Sequence, residues 1–110
     1  MPFKSITNEA DLSDALSQDV AVLYKHSTRC GGSQAAYSEL ERFSRSHPDT
    51  PVYIVDVIRD RPVSNRIAEQ LEVYHQSPQA IVVRRGQPVW NASHYRVTED
   101  AVADHIALKS

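Results

Sequence analysis

Apolar positions along the chain follow two periods. Val20-Ala21-Val22-Leu23-Tyr24 is apolar throughout, which suits a strand buried on both faces better than one with a wet side. Pro51-Val52-Tyr53-Ile54-Val55-Asp56-Val57 is a second β-prone run, and Asp56 followed by Arg59-Asp60-Arg61-Pro62 marks the turn after it. Ala80-Ile81-Val82-Val83 and Pro88-Val89-Trp90 are parted by Arg85-Gly86, a connection tight enough to make them an antiparallel hairpin. Between these runs the spacing changes to three and four. Leu12, Ala15 and Leu16 predict a first helix over 8–18, capped by Thr7. Ala36, Leu40 and Phe43, with Glu39, Glu41 and Arg42 on the other side, predict a helix that starts at or beside Cys30 and is ended by His47-Pro48-Asp49. Val63, Ile67 and Leu71 align in a third helix that carries Pro62 in its first turn and runs to about Glu72. Val102 and Ile106 are the inward pair of a last helix capped by Thr98.

Strand, helix, strand between Val20 and Val57 reads as a right-handed unit with a parallel pair of strands. The whole order is α-β-α-β-α-β-β-α, a parallel half followed by an antiparallel half. That is the plan of the thioredoxin fold with an extra leading helix: an α/β protein whose central four-stranded mixed sheet is flanked by helices. A chain of 110 residues without repeats, low-complexity tracts or linkers is expected to form one such domain, residues 1–110.

Charge and composition narrow the function. Lys and Arg number 12 against 14 Asp and Glu, a formal net charge of -2, so neither nucleic acid nor an anionic membrane is expected as a main partner. No apolar run approaches the roughly 18 residues of a membrane span, and residues 1–9 hold no apolar signal segment, which places the protein in the cytoplasm. One cysteine forms no internal bridge, so the fold does not depend on an oxidising compartment.

That cysteine opens Cys30-Gly31-Gly32-Ser33, a C-x-x-S at the junction of strand and helix. A thiol in the first turn of a helix meets unpaired N–H groups and the positive end of the helix dipole, both of which favour the thiolate. Ser33, three residues on, shares its face and can offer a hydroxyl to the sulfur, yet it cannot close a disulfide. The chemistry expected is monothiol exchange, in which Cys30 attacks a mixed disulfide, takes over the small thiol and waits for a second thiol. Lowering a thiol pKa from ~8.5 to ~6 raises the ionised fraction roughly thirtyfold, but a Brønsted coefficient of ~0.5 removes most of that gain in attack. The main benefit is a better leaving group. Gly31 and Gly32 cost the first turn up to ~1 kcal/mol each relative to alanine and leave room beside the sulfur for a partner's backbone or a bulky small thiol.

Ser77-Pro78 stands just before the third strand of the series. In this fold a proline at that place takes the cis form and packs against the active-site cysteine, leaving the Ser77 N–H and C=O for an extended substrate to pair with. The segments Lys25-His26-Ser27, Ser64-Asn65-Arg66-Ile67-Ala68-Glu69, His75-Gln76-Ser77-Pro78-Gln79-Ala80 and Val89-Trp90-Asn91-Ala92-Ser93-His94 resemble those of the YtxJ family, the monothiol bacilliredoxins also called bacilliredoxin C. The resemblance implies a thioredoxin-like oxidoreductase that removes bacillithiol from S-bacillithiolated client proteins, with Cys30 as the attacking thiol. It further implies no bound cofactor, and bacillithiol or another low-molecular-weight thiol as co-substrate. Family members read Cys-Pro-Ile-Ser where this chain reads Cys30-Gly31-Gly32-Ser33, which keeps the thiol and the serine and changes the pair between them.

Cys30 and Ser33 are thus the catalytic candidates, and Arg29, Gly31, Gly32, Ser77 and Pro78 the substrate-binding ones. His26, a few residues before Cys30, is a candidate modulator of the thiolate. Lys25 and Arg29 are candidates to attract a carboxylate-bearing thiol. Trp90 and His94 read as packing residues near the last strand, and His47, His75 and His105 show no metal-ligand spacing with Cys30. Two other functions use the same features: an iron–sulfur carrier with one cysteine per subunit plus an external thiol, and a non-catalytic module that binds an extended segment along the Ser77-Pro78 edge.

Overall fold

The computed structural model describes residues 3–28 and 32–107. The all-apolar run is the middle of strand β2 (Val20–His26), which lies at the centre of a mixed sheet with β1 (Phe3–Ser5), β3 (Val52–Asp56), β4 (Gln79–Arg84) and β5 (Gln87–Ser93) in the order β1-β3-β2-β4-β5. β1 and β2 run parallel to β3, and β4 runs antiparallel to both β2 and β5. The helices are α1 (Glu9–Leu16), α2 (Ser33–Ser46), α3 (Arg61–Leu71) and α4 (Glu99–Ala107). Among the described residues no helix is long and apolar enough to cross a membrane.

Side chains alternate across a strand, so a strand apolar at every position feeds two cores. Ala21 and Leu23 join Leu12 and Ala15 of α1 and Val63, Ile67 and Leu71 of α3 on one face. Val22 and Tyr24 join Ala36, Leu40 and Phe43 of α2 and Val102 of α4 on the other. Each buried Leu, Val or Phe contributes roughly 1.5–3 kcal/mol against exposure, which is why both helical layers are held tightly.

Among the described residues the sheet has five strands where four are expected. β1 supplies only Phe3 to the core while Lys4 and Ser5 are exposed, too short a stretch for any period to show. Tertiary pairing makes it a strand, with Phe3 opposite Val52, Ser5 opposite Ile54, and the Ile6 N–H on the Ile54 carbonyl at 2.8 Å. The first helix is shorter than its predicted span and is capped by Asn8 rather than Thr7. The Asn8 side chain accepts the Asp11 N–H at 2.9 Å, while Thr7 donates its N–H and hydroxyl to the Asp11 carboxylate at 3.0 Å each. α2 begins at Ser33, with Gly32 as its N-cap, later than a start at or beside Cys30. Arg29, Cys30 and Gly31 lie outside the described residues.

Other ends follow local chemistry. Pro62 occupies the first turn of α3, and Glu72 at φ 54 closes that helix. Arg85 at φ 51 and Gly86 at φ 81 give the two left-handed residues that a two-residue hairpin between β4 and β5 requires. Thr98 accepts the Ala101 N–H at 3.1 Å and caps α4.

Candidate active site

Three segments converge where the apolar run of β2 ends: the start of α2, the Ser77-Pro78 connection into β4, and the 3-10 turn His94–Arg96 after β5. Ser33 ties the start of α2 to the end of β2. It is buried; its hydroxyl accepts the Ser27 N–H at 3.2 Å and its carbonyl accepts the Tyr24 hydroxyl at 3.1 Å. The serine of the C-x-x-S motif is therefore anchored to the end of β2, and its own hydroxyl hydrogen remains for donation.

The Ser77-Pro78 peptide is cis. Gly32, two residues after Cys30 in the chain, lies against this proline: a Cβ placed on Gly32 would stand 3.6 Å from Pro78 Cγ and 3.9 Å from His94 Cα. A side chain at Gly32 would thus meet the Pro78 ring and the backbone of His94 at ordinary van der Waals distance. The Ser77 hydroxyl is buried without a hydrogen-bond partner among the described residues. Arg29, Cys30 and Gly31, the remaining site candidates, fall outside the described residues.

His26 stands at the end of β2 on the α2 side. Its Nδ1 lies 2.6 Å from the Tyr24 hydroxyl, and its ring packs against Tyr24 and Tyr37 with centroids 5.4 Å and 5.5 Å away. Tyr24 has one proton, and the Ser33 carbonyl can only accept. Satisfying both contacts makes His26 Nδ1 a donor to Tyr24, which leaves Nε2 as the basic nitrogen. Burial lowers the His26 pKa, opposed by the Asp56 carboxylate paired across from it on β3, and burial raises that of Tyr24 so that the phenol keeps its proton.

Lys25 corrects one expectation. It is fully buried and faces away from α2, with Nζ on His75 Nδ1 at 2.9 Å, so it is not presented to a carboxylate-bearing ligand. Strand alternation is the cause, because the residue between Tyr24 and His26 must turn to the opposite face. Burial lowers its pKa to about 8.

His94 is the residue the sequence reading assigned to packing and the structure brings to this corner. Its N–H donates to the Pro78 carbonyl at 3.0 Å, its φ is 57, and its side chain is exposed. Trp90 does pack, stacked on His105 at 4.4 Å, and His47 stacks on Phe43 at 4.6 Å. No sequence period carries the His94 signal, since its placement depends on where β5 ends against Pro78.

A mixed sheet with helices on both faces, a helix starting at the serine of a C-x-x-S motif and a cis-proline against that start define a thioredoxin-fold protein. Solved structures agree. One with a thioredoxin fold matches at a TM-score of 0.87 and 26% identity, over 94% of this chain and 92% of its own. A thioredoxin variant of Halobacterium salinarum matches at 0.78 and 19% identity, covering 97% and 93%. Mitochondrial thioredoxin 3 of Saccharomyces cerevisiae matches at 0.76 and 19%, covering 96% and 95%. The model of the monothiol bacilliredoxin BrxC family matches residues 4–102. The chain belongs to that family of thiol oxidoreductases.

Proposed function

We propose that this protein removes bacillithiol from S-bacillithiolated client proteins in the cytoplasm, using Cys30. The thiolate of Cys30 attacks the bacillithiol sulfur of the mixed disulfide. The client–bacillithiol S–S bond breaks, the client cysteine leaves as thiolate and takes a proton from solvent, and a Cys30–bacillithiol disulfide forms. A second low-molecular-weight thiol then attacks that adduct and releases Cys30. Electrons balance at each exchange, because one disulfide is consumed and one is made.

The observation that carries this reading is the packing of Gly32 against Pro78 at the start of α2, two residues along the chain from the cysteine. It supports a site where an extended client segment lies along Ser77-Pro78 with its disulfide at the helix start. Ser33, held by Ser27 and Tyr24, keeps a hydroxyl hydrogen for a nearby thiolate. With serine as the second residue of the motif, the adduct waits for an external thiol.

Incubation with bacillithiol disulfide tests the reading. Intact mass spectrometry is expected to find one bacillithiol added to the chain at Cys30 and none on Cys30→Ser. An unmodified chain at near-neutral pH would sink the proposal.

A further inference from the structure

Lys25 on β2 and Gln79 on β4 are register partners, both buried, and between them they hold Tyr74, His75 and Gln76 of the connection from α3 to β4. The Gln79 carboxamide donates to the Tyr74 carbonyl at 3.0 Å and accepts the Gln76 N–H at 3.4 Å. His75, between those two residues, meets Lys25 Nζ with its Nδ1 at 2.9 Å. The same connection runs on into the cis Ser77-Pro78 peptide. Two side chains thus grip the segment ahead of the proline, and they differ in kind. A carboxamide does not titrate, whereas an amine and an imidazole both do.

The 2.9 Å contact fixes the protons. An ammonium has only hydrogens to give, so His75 Nδ1 accepts and the proton of the neutral ring sits on Nε2. Once the imidazole is protonated, Nδ1 carries a hydrogen and has no lone pair to offer. Two cations then face each other at a buried site, where like charges repel more strongly than in water. The neighbours do not relieve them. The register partners of Lys25, Val55 on β3 and Gln79 on β4, carry no charge, and the charge that reaches His75 from α3 is another cation, Arg61. The acids of the adjoining elements are engaged elsewhere. Asp60 pairs with Arg59, Asp56 accepts the N–H groups of Ile58 and Arg59, and Glu9 of α1 pairs with Arg66. Asp11 accepts from Thr7, and Asp14 accepts the Tyr53 hydroxyl. Glu72, exposed at the head of the connection, forms no ion pair among the described residues. Burial, with Lys25 and Arg61, holds His75 below its ordinary pKa of 6.5. The unfolded chain therefore takes the proton first, and the stabilising contact is whole above pH 6.5 and lost as pH falls through the lower folded value.

We propose that the Lys25–His75 contact is a proton-operated latch on the α3–β4 connection, closed near neutral pH and opened by acid. Opening loosens the segment that leads into Ser77-Pro78 while β4 stays paired in the sheet. The latch needs no ligand and stands apart from the exchange reading above.

The test follows amide hydrogen exchange of the full chain by NMR, near neutral pH and at about pH 5. The protection factor of Gln76 is divided by that of Ile81 in β4, so that global unfolding cancels. Loss of one charge-assisted hydrogen bond is expected to lower that ratio roughly tenfold at the acid end. His75→Asn sets a carboxamide oxygen where Nδ1 stands, able to accept from Lys25 and unable to take the proton. It is expected to keep the neutral-pH ratio and to abolish the fall. Lys25→Met, which keeps the buried stem without the donor, is expected to show the low ratio at both pH values. Nitrogen NMR near neutral pH is expected to find the His75 ring protonated on Nε2. A ratio that does not change with pH in the unaltered chain overturns the latch. So does an equal fall in His75→Asn, a high neutral-pH ratio in Lys25→Met, or a neutral His75 ring with its proton on Nδ1.

Discussion

Tyr24 and Lys25 are neighbours in β2, each 0% exposed, and they show two ways of burying a polar group. Tyr24 turns toward α2, where its hydroxyl meets the Ser33 carbonyl and His26 Nδ1. A neutral phenol with both contacts satisfied costs little, and burial only makes it harder to ionise. Lys25 turns toward the α1 and α3 side, where its ammonium meets another base, His75, and among the described residues no carboxylate pairs with it. The lysine carries a desolvation cost that depends on its proton. Tyr24 is thus held on the site's face by neutral hydrogen bonds, and the buried ammonium lies on the face behind it.

The largest break in this comparison comes from Tyr24→Ala. Tyr24 packs in the cluster of Phe3, Ala36, Leu40 and Phe43, with the Phe3 ring edge-on at 6.3 Å. Truncation is expected to cost about 3–5 kcal/mol in urea unfolding, through the cavity and the lost contacts together. A loss below about 1 kcal/mol would show that the ring is not the packing unit of the α2 face.

Much of this architecture is legible in the sequence. Ala36, Leu40 and Phe43, like Val63, Ile67 and Leu71, declare their inward faces by spacing alone, and all six are buried. Strand β1 is not legible, because Phe3 and Ile6 bound two exposed residues and only β3 turns them into a ladder. Within the site, C-x-x-S and Ser77-Pro78 stand out as motifs. The anchoring of Ser33 by Ser27 and Tyr24, and the arrival of His94 at Pro78, do not. They join the ends of different elements through single hydrogen bonds, and such bonds leave no periodic trace. Lys25 is hidden for a related reason: next to His26 it reads as a rim cation, and the alternation of β2 turns it to the opposite face.

A smaller effect separates the two residues by pH. With a folded pKa of about 8 against 10.5, Lys25 binds its proton less readily in the native state. The unfolded chain then holds more protons between those values, so stability rises with pH across that interval and the penalty is constant below about 8. Tyr24 and Tyr53, both raised by burial, pull the other way above about pH 10. Between pH 8 and 9.5 the native state is expected to gain about 1.5 kcal/mol, read from urea midpoints at constant ionic strength. Lys25→Met should flatten that rise. An equal rise in the variant would assign it to another group.

The smallest effect isolates one hydroxyl. Tyr24→Phe keeps the ring among Phe3, Tyr37 and Phe43 and removes only the oxygen that joins Ser33 to His26. The Ser33 carbonyl loses its donor and His26 Nδ1–H loses its acceptor, a loss worth about 1 kcal/mol in stability. The sharper readout is the ring nitrogen of His26. With Tyr24 in place, nitrogen NMR is expected to find Nδ1 protonated and Nε2 free, and in Tyr24→Phe the neutral ring should redistribute between its tautomers. A His26 already protonated on Nε2 in the unaltered protein would mean that Tyr24 donates to the imidazole instead of to Ser33. The start of α2 would then hang on the Ser33–Ser27 bond without the tyrosine, and the contrast with Lys25 would lose its neutral, fully satisfied half.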